Sequence, residues 1–228
     1  MRLPLCFALV PAAGTGSRAG QPVPKQYVSV LGRPLLAHTL AALQQVPELA
    51  EVLVVLAPDD ERFAELFQGY SGPVARIGGS TRQATVMAGL RRLREMGAHE
   101  DDWVLVHDAA RCMIRPEWVR DLLRQCANDE VGGLLALPMA DTMKRGEQGR
   151  AVKTLNRARV WAAQTPQMFR LGMLSHALEK AGDQMTDEAS AIERLGFTPL
   201  LVRCSMENFK VTLPEDFQLA EALLRSRT

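Results

Sequence analysis

The sequence predicts a single α/β domain spanning all 228 residues. Its core is a mostly parallel sheet with helices on both faces, and a β-hairpin arm protrudes from it. Three observations carry this reading. Short apolar runs alternate with stretches of helical character, the order of a parallel sheet covered on both sides. The runs are apolar without interruption, as strands buried on both faces are. The alternation then breaks once, between Pro138 and Pro166, where polar residues and two glycines replace it.

The first run, Leu3 to Val10, reads as a buried strand and opens into the small-residue stretch Pro11-Ala12-Ala13-Gly14-Thr15-Gly16-Ser17-Arg18. Pro34 to Val46 reads as a helix with Pro in its first turn. Val52 to Ala57 is the second strand, Asp60 to Phe67 a short helix, and Pro73 to Ile77 the third strand. The turn Gly78-Gly79-Ser80-Thr81-Arg82 follows, then a helix from Arg82 to Met96 with Val86, Leu90 and Leu93 on one side. Trp103 to Val106 is the fourth strand and ends in His107-Asp108-Ala109-Ala110-Arg111. Pro116 to Ala127 is helical and Gly133 to Leu137 a fifth strand. Residues 138–160 read as the hairpin arm. A polar hairpin of that length buries little surface alone, so a second copy of the chain is its simplest partner. Helices return at Arg170–Ala181, Asp187–Leu195 and Pro214–Leu224, with strand-like stretches at Thr198–Arg203 and Phe209–Val211.

In such sheets ligands bind at the carboxyl ends of the strands. The loops at 11–25, 78–82 and 107–111 all follow strands, so they converge on one edge. The first combines small residues with Arg18 and Lys25. Small residues let the backbone approach a ligand, successive loop N–H groups form an anion site, and the two cations add charge where phosphate would sit. Two other phosphate motifs fit poorly. Gly14 to Ala19 matches G-x-G-x-x-A, but Pro22 and Pro24 oppose a helix after it and no acid occurs before Glu48 to take a ribose. The segment from Met1 to Pro47 carries Arg2, Arg18, Lys25 and Arg33 against no acid, which suits a triphosphate. A Gly-Lys-Ser/Thr sequence is absent, so the Walker pattern fails.

Hydrophobic content of 47% and charged content of 23% are ordinary for a globular chain, and a net charge of +1 implies no nucleic-acid partner. Cys6, Cys112, Cys126 and Cys204 are scattered and read as reduced thiols of a cytoplasmic protein. No run approaches the roughly 18 apolar residues of a membrane span. The short apolar start is read as a strand, not a leader peptide.

The pattern P-A-A-G-x-G-x-R, followed by Pro24-Lys25-Gln26, resembles the nucleotidyltransferases that join a sugar or polyol phosphate to CMP. Within them it is most similar to the 2-C-methyl-D-erythritol 4-phosphate cytidylyltransferase family. His107-Asp108-Ala109-Ala110-Arg111, Asp141-Thr142-Met143-Lys144 and the stretch from Asn208 to Asp216 extend the resemblance over nearly the whole chain. It implies a Rossmann-like nucleotidyltransferase fold with a dimerisation arm.

The resemblance also implies roles. Ala12, Ala13, Gly14, Gly79, Ser80, Arg82 and Thr85 would hold the nucleotide. The family's usual acid at the position of Ser80 is here a serine, and Thr85 keeps the hydroxyl of the family's serine. Asp108 would bind Mg²⁺ and, through it, the nucleotide phosphates; a lone carboxylate suffices because Mg²⁺ keeps several waters. Arg18, Lys25, Arg157 and Lys210 would be catalytic, and Arg111 and Thr142 would touch the acceptor. Alignment on Trp161 and Thr165-Pro166-Gln167 favours Arg157 over Arg159. By residue type alone, Ser80 or Thr81 caps a helix, Asp108 caps a turn and Lys210 is solvated. The implied reaction transfers CMP from CTP to 2-C-methyl-D-erythritol 4-phosphate in a cytoplasmic homodimer. The alternatives are another polyol phosphate such as ribitol 5-phosphate, or a nucleotide-binding module without turnover.

Overall fold

The structure, a computed structural model, describes residues 2–14, 23–182 and 185–227. Among the described residues the main sheet has seven strands. They are β1 (Cys6–Pro11), β4 (Glu51–Leu56), β5 (Val74–Arg76), β6 (Trp103–Val106), β7 (Gly132–Pro138), β10 (Trp161–Arg170) and β11 (Leu200–Arg203). Their order is β11-β7-β10-β6-β1-β4-β5. All pairings are parallel except those of β10, which runs antiparallel to both β6 and β7.

Alternation along each strand builds a core on either face. In β1, Ala8 and Val10 join Leu36, Leu40 and Leu122 on one side. Phe7 and Leu9 join Val86, Leu90 and Leu174 on the other. The first face is covered by α1 (Leu35–Leu43) and α4 (Pro116–Cys126). The second is covered by α3 (Arg82–Glu95), α5 (Leu171–Ala181) and α6 (Glu188–Arg194). Helices α2 (Arg62–Leu66) and α7 (Pro214–Arg225) complete the set among the described residues. Because β1, β4 and β6 are apolar on both sides, the expected strands and helices fall where the runs placed them, within a few residues at the ends.

One expected strand is absent, and two elements appear where the sequence reading placed none. Trp161–Arg170 carries Gln164, Thr165, Pro166 and Gln167 in its middle, a composition that opposes a central strand. It is nevertheless β10, and a register shift between Ala163 and Gln167 accommodates the proline. Phe209–Val211 is not a strand; it follows a 3-10 turn at Met206–Asn208 and is tied to the 107–111 loop by the Val211 amide, which donates to the Ala110 carbonyl at 2.9 Å. A small hairpin of β2 (Ser29–Val30) and β3 (Arg33–Pro34) precedes α1.

The arm is present. Strands β8 (Lys144–Glu147) and β9 (Arg150–Thr154) pair antiparallel and are exposed along their length. At its root the Met139 amide donates to the Val160 carbonyl at 3.0 Å, so the ribbon continues the β7–β10 pairing. Among the described residues no helix is long and apolar enough to cross a membrane.

Candidate active site

A cleft of about 550 Å³ opens at the carboxyl ends of β1 and β6. Its wall contains Ala12, Ala13, Gly14, Lys25, Gly79, Ser80, Arg82, Thr85, Asp108 and Lys210. Ten of the residues singled out from the sequence therefore meet in one place.

Two loops form one wall because both hang on β4. The Ala12 amide donates to the Val55 carbonyl and the Gly78 amide to the Leu56 carbonyl, each at 2.8 Å. They abut so closely that a Cβ at Gly78 would overlap the Ala13 methyl and lie 2.7 Å from the Leu56 oxygen. One at Gly79 would lie 2.5 Å from the Ala84 Cβ. Thr81 is the cap of α3, its hydroxyl accepting from the Ala84 amide at 3.0 Å. The buried Thr85 hydroxyl donates to the Thr81 carbonyl at 2.9 Å and accepts from the Gly79 amide at 3.2 Å. Thr85 thus braces the glycine turn from behind.

The floor is Asp108, 7% exposed. Its Oδ1 accepts from Arg82 Nε at 2.8 Å, its Oδ2 lies 2.9 Å from Lys210 Nζ, and Arg111 Nε is 3.7 Å away. Burial alone would push this carboxyl up. Arg82, then Lys210 and Arg111, hold it well below the usual carboxylate range. Burial likewise opposes the charge on Arg82, but Glu188 and Asp108 raise its pKa further, so it stays a cation. Lys25 Nζ donates to the Val211 carbonyl at 2.7 Å, and Gln26 Nε2 to the Ala12 carbonyl at 2.9 Å, which joins the lysine's turn to the first loop.

Sequence reasoning did not single out the shell beneath this floor. Thr165, in the β10 bulge, accepts from the Asp108 amide at 3.0 Å and sits 3.1 Å from His107 Nδ1. Asn208 Nδ2 donates to the Thr165 carbonyl at 2.9 Å and to Gln164 Oε1 at 3.2 Å, while the Asn208 backbone carbonyl accepts from Arg111 Nη1 at 2.7 Å. His107 is fully buried, and burial pushes its pKa down to about 4. Glu188, fully buried at the start of α6, grips Arg82 Nη1 and Nη2 at 2.6 and 3.0 Å. The only local hint was polarity inside β10 and an acid pair, Asp187-Glu188, opening α6.

Thr142 and Arg157 are exposed on the arm and do not line the cleft of their own chain. Arg18 lies outside the described residues.

Among the described residues the cleft wall carries Lys25, Arg82 and Lys210 with the carboxylate of Asp108; Glu188 pairs Arg82 from behind, so a net positive charge of one remains, the sign that suits a phosphate. A neighbouring hollow of about 520 Å³ shares Ala13, Gly14 and Gln26 but is ringed by Asp59, Asp60, Glu61 and Glu65, the wrong sign for that ligand. No group of three or more His, Cys, Asp or Glu able to cage a metal occurs among the described residues. A single cleft-facing carboxylate still fits an Mg²⁺ ion whose other ligands are phosphate and water.

The family model described as 2-C-methyl-D-erythritol 4-phosphate cytidylyltransferase matches residues 6–226. The bifunctional enzyme IspD/IspF of Albidiferax ferrireducens is 56% identical over 226 residues, which is 99% of this chain and 54% of that protein. The chain thus spans about half the length of that relative. The 2-C-methyl-D-erythritol 4-phosphate cytidylyltransferase of Burkholderia cenocepacia is 55% identical over 227 residues, covering 97% of this chain and 96% of that one. A crystal structure of 4-diphosphocytidyl-2C-methyl-D-erythritol synthase matches with a TM-score of 0.88 at 39% identity, over 98% of this chain and all of that one.

Proposed function

The chain belongs to the family of 2-C-methyl-D-erythritol 4-phosphate cytidylyltransferases, and on that premise we propose that its cleft joins CTP to 2-C-methyl-D-erythritol 4-phosphate with release of pyrophosphate. One observation carries the reading: two glycine loops, three cations and a single carboxylate share one cleft at the strand ends. An acceptor phosphate oxygen attacks the α-phosphorus of CTP, and the bond from that phosphorus to the bridging oxygen of the β-phosphate breaks. The acceptor is already an anion, so the site needs no general base and no covalent nucleophile. Its work is to hold two anions in line and to stabilise charge on the α-phosphate.

The roles divide along the cleft. Backbone at Ala12, Ala13 and Gly14 and the turn at Gly79 and Ser80 hold the cytidine, with Thr85 bracing that turn. Lys25 faces the triphosphate, and Arg18 would share with it the stabilisation of charge on the α-phosphate. Lys210 and Arg111 place the acceptor. Asp108, fixed by Arg82, would hold Mg²⁺, which when bound would neutralise phosphate charge. Thr142 and Arg157 come from the arm of a second copy, which makes the active species a homodimer. Four free, buried thiols at Cys6, Cys112, Cys126 and Cys204 accord with a reducing, cytoplasmic setting.

Pyrophosphate release with Mg²⁺ tests this. CTP and ATP are each paired with 2-C-methyl-D-erythritol 4-phosphate, with ribitol 5-phosphate and with no acceptor. CTP with the erythritol phosphate should be fastest. Equal rates with ATP would remove the base assignment, a preference for ribitol 5-phosphate would move the acceptor, and no release at all would leave a nucleotide-binding module.

A further inference from the structure

The best-held cation of the cleft is gripped from outside it. Arg82 opens α3 and spends Nη1 and Nη2 on the two oxygens of Glu188, at 2.6 and 3.0 Å, and Nε on Asp108 Oδ1 at 2.8 Å. Asp108 in turn meets Lys210 at 2.9 Å. A line of alternating charge therefore runs from the start of α6 through the cleft floor to Lys210.

Glu188 has no access to solvent and does not line the cleft. Its place on the helix is nonetheless set through its two neighbours in the chain. Gln167 Oε1 accepts from the amide of Ala189, the next residue, at 2.7 Å. Gln167 Nε2 donates to the preceding residue, Asp187, at 2.8 Å, and Asp187 caps α6 through the Ser190 amide at 3.0 Å. Gln167 belongs to the polar segment of β10 that also carries Thr165, the acceptor of the Asp108 amide. Two routes thus lead from β10 to Asp108. One holds its backbone through Thr165, and the other holds its carboxylate through Gln167, α6, Glu188 and Arg82.

A planar guanidinium gripped by both oxygens of a buried carboxylate has one orientation, with Nε directed at Asp108. Without that grip the long side chain can rotate toward any phosphate in the cleft. A buried bidentate pair is weak as a source of stability, yet strong as a device that fixes one geometry.

We propose that Glu188 is a positioning residue of this active site, which acts through Arg82 to hold the Asp108 carboxylate in place for the nucleotide. The inference rests on the cleft being the nucleotide site. It extends the working set to α6, a helix that contributes nothing to the cleft wall.

Nucleotide binding and steady-state kinetics test it in Glu188→Gln, Arg82→Ala and the double variant. CTP is titrated calorimetrically with and without Mg²⁺, and KM is measured for each substrate. Partners that orient a ligand-holding group typically contribute about 10- to 100-fold. Glu188→Gln should weaken CTP binding in the presence of Mg²⁺ and raise the KM for CTP by about tenfold, while the KM for the acceptor stays within about twofold. The double variant should be no worse than Arg82→Ala, because a residue acting through another adds nothing once that one is gone. Unchanged CTP binding in Glu188→Gln, additive losses in the double variant, equal rises in both KM values, or a Glu188→Gln chain that does not fold would each overturn the inference. Failure of the wild type to bind CTP would instead overturn the functional reading.

Discussion

Lys210 Nζ lies 2.9 Å from Asp108 Oδ2, so the last signature of the chain closes on the strand-end acid of the fourth strand. The pair places an ammonium on the carboxylate that the proposed function gives to Mg²⁺. On the proposed function, Asp108 would hold Mg²⁺ and the Lys210 ammonium would contact phosphate. Lys210→Ala should keep the fold and lose about 3 kcal/mol of transition-state stabilisation, on the order of a hundredfold in turnover. Turnover within threefold of wild type would remove Lys210 from the mechanism. Asp108→Asn should abolish activity that depends on Mg²⁺.

Gly78 is where the two cleft loops touch. A methyl there would overlap the Ala13 methyl, and the Leu56 carbonyl at 2.7 Å leaves no room to retreat. Gly78→Ala should therefore push the loops apart and raise the KM for CTP at least tenfold, with a smaller effect on the acceptor. Overpacking of this kind costs roughly 1 to 3 kcal/mol of stability as well. An unchanged KM for CTP would show that the spacing of the loops does not set the nucleotide pocket.

Asp102 carries the pH dependence that is simplest to isolate, because it lies outside the cleft. Its carboxylate accepts from the Leu5 and His99 amides, each at 2.8 Å, and from Arg2 at 3.0 Å. Burial pushes its pKa up, but the His99 and Leu5 amides and the Arg2 guanidinium outweigh it and hold the group below the usual range. A depressed carboxylate contributes stability that is present above its unfolded value, about 3.9, and lost as the pH falls through the folded value. Asp102→Asn should cost about 2 kcal/mol in urea unfolding at pH 7. The difference should shrink as both chains are taken below about pH 4. A difference that stays constant with pH would assign the loss to shape instead of charge.

The arm can be tested by complementation. Thr142 and Arg157 are exposed on it, while Lys25 lines the cleft. A Lys25→Ala chain is mixed with a Thr142→Ala chain under conditions that exchange subunits. If the arm completes the partner's site, each mixed dimer has one intact site and one doubly damaged site. With half the dimers mixed, activity should rise to roughly a quarter of wild type, as expected for a closed two-fold dimer. Proven exchange that yields only the average of the two parents would place Thr142 in its own subunit's site.

The chain's local chemistry determined the sheet strands β1, β4, β5, β6, β7 and β11, the helices between them, and the loops that meet at the cleft. β1, β4 and β6 are buried on both faces and therefore apolar almost throughout, β5 and β11 are short apolar runs at the sheet edges, and a loop that approaches phosphate is small and basic; all are properties of adjacent residues. The tertiary structure alone decided β10 and everything it supports. Gln164, Thr165 and Gln167 are buried polar residues in a stretch to which the local pattern gave no element, and burial is tolerable only because their partners are present. Those partners are Asn208, Asp108 and Ala189, each far off along the chain. The same holds for Glu188, which reads as an ordinary acid in the first turn of a helix until Arg82 arrives from α3 to neutralise it. A charge or amide inside a core is licensed by a distant partner, and no local pattern encodes that partner.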